Sequence, residues 1–260
     1  LENSLEVMSV HFEKAYKLKR KVKSAMIYPI VVLVVAVAVV IFLMIFVVPI
    51  FTGMFESSGT ELPGITKTLI GLSDFMKNNF VGIIFFFAVI LGAIKIYLSQ
   101  ESGRLAFDKL KLRMFLIGNV QTKSIAASFA RTMSTLMGSG VGITESIRIT
   151  GKILDNTHAI EQMEKIERQV REGKGLYTPV KETGLFPPML VNMIMLGEES
   201  GTLEDMLGKT ALFYEEEVDE ATQRLTSMLE PLIIIILAVV VAFIVIAIAL
   251  PMFDMSSTMV

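Results

Sequence analysis

Apolar residues gather in three long runs. Between Pro29 and Pro49, and again between Pro231 and Pro251, nineteen consecutive residues carry no charge; a third run, Phe80 to Leu98, carries only Lys95, near its end. At about 1.5 Å of rise per helical residue, each run spans a bilayer core of about 30 Å and predicts a transmembrane helix. Lys95 is close enough to the end of its run to snorkel to the interface beside Tyr97. Proline lacks a backbone N–H and is tolerated in a first helical turn. Pro29 and Pro231 are therefore expected near helix starts and Pro49 and Pro251 at exits, making the four prolines the expected span boundaries.

Elsewhere the apolar positions keep helical spacing and are punctuated by glycine and proline. Ile125, Phe129, Met133 and Leu136 run until Gly138-Ser139-Gly140, and Ile160, Met163 and Val170 run from Thr157 until Gly173. Pro187-Pro188 opens another helix that stops near Gly201, and Thr202 caps the next with Asp205 in its third position. That last helix carries a stripe at Leu207, Tyr214, Val218, Ala221, Leu225 and Met228. No strand-like alternation occurs. The predicted class is all-α: a polytopic membrane protein with three transmembrane helices and a cytoplasmic antiparallel helical bundle. Between Pro49 and the run that opens at Phe80, turn signals at Ser57-Ser58-Gly59 and Leu62-Pro63-Gly64 precede a stripe at Ile65, Leu69, Leu72 and Met76, which reads as a short interfacial helix.

Charge orients this plan. Lys14, Lys17, Lys19, Arg20, Lys21 and Lys23 precede the run that opens at Pro29, and Lys95, Arg104, Lys109, Lys111 and Arg113 end or follow the run from Phe80 to Leu98. The intervening loop holds only Lys67 and Lys77. The positive-inside rule then gives a cytoplasmic N-terminal segment 1–23, spans at 24–49, 80–98 and 230–251, a periplasmic loop 50–79, a cytoplasmic domain 99–229 and a periplasmic tail 252–260.

The first and last spans are also related in sequence. Adding 202 to a residue number carries Leu1-Glu2-Asn3 to Leu203-Glu204-Asp205, Phe12-Glu13 to Tyr214-Glu215, Met26 to Met228, and Pro29, Pro49 and Phe51 to Pro231, Pro251 and Phe253. The second copy has a domain ahead of position 203. A homologous first cytoplasmic domain is therefore expected upstream of Leu1.

The 260 residues are 53% hydrophobic with a formal net charge of −2, which gives no whole-chain basis for nucleic-acid binding, and the absence of cysteine excludes disulfides and thiolate chemistry. Catalytic, cofactor and metal sites are all expected to be absent. Gly208-Lys209-Thr210 lacks the earlier glycine of a phosphate-binding loop, since Leu203 stands there, and His11 and His158 are isolated. The acidic group Glu215, Glu216, Glu217, Asp219 and Glu220 reads as a solvated helix face, with a basic partner or a divalent cation as alternatives. Glu230 beside Pro231 reads as an interfacial anchor.

The ordered motifs SAMIYPIVVLVV, VPIFTGMF, ELPGITKTLIGLSDF, FARTMSTLMGSGVGITESI, GLFPPMLVNMIMLGEESGTLEDML and FYEEEVDEATQRLTSMLEPL resemble the platform proteins of type IV pilus and type II secretion machines, the GspF/PilC family, over essentially the whole chain. The resemblance implies a non-enzymatic protein of the bacterial inner membrane with two related cytoplasmic domains and three spans. It also implies contact with a cytoplasmic hexameric assembly ATPase, with pilin or pseudopilin subunits in the lipid bilayer and with other inner-membrane assembly proteins, and a homo-oligomer. No nucleic acid is implied. The matching positions are Arg131, Gly140, Phe186-Pro187, Gly197, Glu198, Glu199, Gly201 and Leu203. Glu198 and Glu199 read as solvated or paired carboxylates, or as an ATPase contact or intramolecular lock. The GEESGTLE and FYEEEVDEA motifs favour the pilus branch over the export branch. A transporter would need ionisable groups within its spans, and a receptor a ligand domain; neither is visible.

Overall fold

The computed structural model describes residues 20, 24–58, 62–114 and 117–258, with the side chains of 56–58 and 254–258 outside that description. Lys14, Lys17, Lys19, Lys21, Lys23, His11 and the repeat pairs before Met26 lie outside the described residues. The elements, in order, are α1 (Ile27–Phe42), a π-helical turn (Leu43–Val47), α2 (Val48–Ser58), α3 (Gly64–Asn78), α4 (Phe80–Ser99), α5 (Glu101–Arg113), α6 (Ile117–Gly138), α7 (Ile143–Ile153), α8 (Thr157–Arg171), α9 (Tyr177–Thr183), α10 (Pro188–Ser200) and α11 (Leu203–Thr258). No strand occurs among the described residues. Among the described residues, three helical stretches are long and apolar enough to cross a membrane: Ile27–Phe55, Phe80–Ser99 and Leu203–Phe253. The protein is an all-α, multi-pass membrane protein.

The chain divides into two units, one holding Tyr97–Leu225 and the other Met26–Ile96 with Thr226–Val260. In the first, α5 to α10 and the start of α11 enclose a core that includes Phe129, Met133, Ile147, Met163, Ile166, Leu190, Ile194 and Leu207, all at most 1% exposed. The stripes read from sequence on α6, α8 and α11 supply much of it. Gly201, at φ +68°, ends α10 in the left-handed conformation that glycine adopts without steric cost. The Thr202 N–H then returns to the Gly197 carbonyl at 2.9 Å. Thr202 differs from its expected role: its hydroxyl lies 2.7 Å from the Ser200 hydroxyl.

In the second unit, Met44, Val48, Leu69, Ile244 and Ala247 form a small core among α1–α2, α3 and α11. Helix continues through Pro231 and Pro251, and at Pro49 the π-helical turn runs directly into α2, so none of the three ends a helix; Pro29 sits in the first turn of α1. α3 keeps half of its predicted face and departs from the rest. Thr66 and Ser73 are 1% exposed beside the buried Leu69, while Ile65 and Leu72 are 45% and 50% exposed. Leu69 and Met76 of the predicted stripe do pack into the core, and Thr66 and Ser73 are buried in place of Ile65 and Leu72. α4 buries none of its residues.

Candidate functional site

The sequence-derived candidates in the bundle are drawn mainly into its own architecture. Arg131 on α6 donates from Nε and Nη2 to the two carboxylate oxygens of Glu215 on α11, at 2.8 and 2.9 Å, a forked pair that fixes the helices in register. Lys123 pairs with Glu217 across the same two helices, and Glu220 bonds Arg224 one turn on at 2.9 Å. Glu216, between the bonded carboxylates, is exposed and makes no ion pair among the described residues. No group of three or more His, Asp or Glu side chains that could hold a metal occurs among the described residues.

Glu198 closes a local link. Its carboxylate accepts from the Leu176 N–H at 2.6 Å and the Tyr177 N–H at 3.0 Å, satisfying donors at the start of α9. A side chain at Gly175 would collide with that carboxylate. Glu199 is exposed and makes no ion pair among the described residues. Gly197 is buried, and a Cβ there would stand 2.8 Å from the Leu203 Cα, so its absence lets the start of α11 fold back against α10. Phe186 packs its ring 4.7 Å from that of Phe129, Pro187 precedes the first residue of α10, and Gly140, at φ +82°, turns the chain after α6.

Sequence reasoning missed Asp108. It is 3% exposed, accepts from the Thr157 N–H at 2.9 Å and from Lys111 Nζ at 2.9 Å, and its own carbonyl accepts from Asn156 Nδ2 at 3.2 Å. Asn156 in turn caps α8 by accepting from the Ala159 N–H at 3.0 Å. Burial pushes the Asp108 carboxyl up, but the Thr157 N–H and Lys111 outweigh it and hold the group below its ordinary value. Beside this junction a cavity of about 690 Å³ is bordered by Lys109, Arg113, Lys123, His158, Phe186 and Glu217. Burial and the neighbouring Lys109 push the His158 imidazole below its ordinary value, against the opposing pull of Glu161.

In the other unit, Tyr28 Oη donates to Glu230 Oε1 at 3.4 Å. The two residues stand 202 positions apart, so they occupy equivalent places in the repeat. Further along the spans, the Thr66 hydroxyl donates to the Ala247 carbonyl at 2.6 Å and the Ser73 hydroxyl to the Met44 carbonyl at 2.5 Å. Neither serine nor threonine was singled out by sequence; the available signal was their seven-residue spacing, which puts both on one face of a helix.

The profile of the family described as type II secretion system (T2SS), protein F, matches residues 1–49 and 129–251, so its two matched stretches end at Pro49 and Pro251, one repeat apart. The chain is 38% identical to the type IV pilus assembly protein PilC of Thermus thermophilus over all of its length and 64% of that protein's. It is 35% identical to the type IV pilus assembly protein PilC of Pseudomonas aeruginosa, over 99% of the chain and 69% of the relative. Against the type II secretion system protein F of Aeromonas hydrophila it is 35% identical, over 99% of the chain and 66% of the relative. The chain thus spans about two thirds of the length of these relatives. With more than half of its residues matched by the profile and three apolar helices of spanning length, this chain belongs to the type II secretion system protein F family of multi-pass inner-membrane proteins.

Proposed function

We propose that the protein is the non-enzymatic inner-membrane platform of a type IV pilus machine, coupling a cytoplasmic assembly ATPase to pilin extraction and filament assembly. The observation that carries this reading is the similarity along the full chain to PilC pilus assembly proteins, which reaches 38%. The lysine and arginine asymmetry supports a cytoplasmic N-terminus, a cytoplasmic domain at 99–229 and a periplasmic C-terminus. Pilin subunits and further copies of the protein are the partners assigned to the spans.

For the ATPase, exposed Glu199 and Glu216 are the proposed contacts, because Glu198, Glu215 and Glu217 already bond within the bundle. A platform of this kind needs surfaces that transmit force rather than reacting groups. The second reading is the equivalent platform of a type II secretion system, favoured by the 35% identity to an Aeromonas protein F.

Deleting the gene in its native host and complementing with the intact protein separates these readings. Lost surface filaments with normal export establish the pilus platform. Retained exoproteins with normal filaments assign the protein to secretion, and normal filaments with normal export overturn both.

A further inference from the structure

We propose that α3 is a strap that joins the two repeat-related spans through the backbone carbonyls their prolines release, with Thr66 and Ser73 as its positioning residues. The proposal goes beyond the platform reading and holds whether the machine assembles pili or exports proteins.

Each carbonyl has a specific cause. In a continuous α-helix the Ala247 carbonyl would accept from the N–H four residues on, but that residue is Pro251, which has none. At the first span the chain is in a π-helical turn, where the Val48 N–H bonds the Leu43 carbonyl five residues back. In that register the next acceptor is Met44, and its donor would be Pro49, which again has none. Pro49 and Pro251 are repeat equivalents. The acceptors fall one residue out of strict equivalence because one helix counts back five residues and the other four.

Met44 and Ala247 are 3% and 0% exposed, so no water reaches their carbonyls, and leaving a buried carbonyl unpaired is costly. α3 supplies both missing donors. Thr66 and Ser73 stand two turns apart, about 10 Å along the helix, and each is 1% exposed. Leu69 lies between them, 1% exposed, in the core with Met44, Val48, Ile244 and Ala247. Thr68, on another face, bonds the Gly64 carbonyl of its own helix and leaves both spans untouched. A displacement of α3 must therefore break with one span or carry both.

The test is a pair of double-mutant cycles on the full-length protein in lipid nanodiscs, read as the unfolding equilibrium in added denaturing detergent. Thr66→Val is expected to raise the unfolded-to-folded ratio about tenfold, and Thr66→Ser, which keeps the hydroxyl, to restore it. In a Pro251→Ala background the helix regains its own donor, so Thr66→Val is expected to cost less than about twofold. Ser73→Ala and Pro49→Ala are expected to behave in the same way. If Thr66→Val fails to accumulate alone, its accumulation in the Pro251→Ala background supports the strap and its failure there overturns it. Equal penalties in both backgrounds, or a Thr66→Ser variant as damaged as Thr66→Val, also overturn it.

Discussion

In the bundle of residues 97–225, Phe129 is fully buried against Phe186, whereas on α4 Phe85, Phe86 and Phe87 are 69%, 61% and 58% exposed. The same side chain does opposite work in the two units. In the bundle, removing apolar surface from water drives helices together. In the spans lipid is as apolar as the side chains, so burial supplies little preference and polar links decide which helices meet. The bundle accordingly has a continuous core tied by carboxylates, while the membrane unit has a small core joined by two hydroxyl-to-carbonyl bonds.

The largest effect that would break this comparison is a matched truncation. Phe129→Ala is expected to destabilise the bundle by about 3–5 kcal/mol, whereas Phe85→Ala leaves folding nearly unchanged. Denaturation followed by bundle fluorescence and by hydrogen exchange of the spans reads both; equal losses would show that α4 is packed after all.

Next is Asp108→Ala, which strips the α8 start of an acceptor and leaves Lys111 without its partner, with an expected loss of about 1–2 kcal/mol. Its pH dependence has a defined sign. Because the folded carboxyl is held below its ordinary value, its stabilisation is complete above the ordinary carboxylate range and is lost as pH falls through the lowered value. Asp108→Asn should flatten that part of an acid titration of stability; an unchanged profile would show that the Asp108 carboxylate contributes nothing.

Smaller still is the forked pair. A double-mutant cycle on Arg131→Ala and Glu215→Ala is expected to give a coupling of about 1 kcal/mol, since both side chains retain some solvent contact. Arg224→Ala, which removes an exposed pair with Glu220, is expected to change stability by less than about 0.5 kcal/mol. A larger effect at the Arg224–Glu220 pair than at the Arg131–Glu215 fork would reverse the ranking.

What was legible in the sequence was local. Apolar run length marked the spans, helical spacing marked α6, α8 and much of α11, and Pro188 and Gly201 marked the ends of α10. The residues that join elements were not legible, because their partners are far along the chain. Thr66 bonds a carbonyl 181 positions away, Ser73 one 29 away, and Asp108 joins an asparagine 48 away. Pro49, Pro231 and Pro251 were read as helix boundaries because proline removes a donor; the helices run on, and the carbonyls that Pro49 and Pro251 leave without a helical donor accept from Ser73 and Thr66 instead. Among the acidic residues, periodicity could not separate Glu215 and Glu217, which reach basic partners on α6, from Glu216 between them.

The measurement that tests the central claim most directly is the isotope-edited infrared spectrum of a ¹³C=¹⁸O label at the Ala247 carbonyl in nanodiscs. If the carbonyl that Pro251 releases is held by Thr66, its amide I band moves to higher frequency in Thr66→Val and stays in place in Thr68→Val. A band unmoved by Thr66→Val would contradict the account.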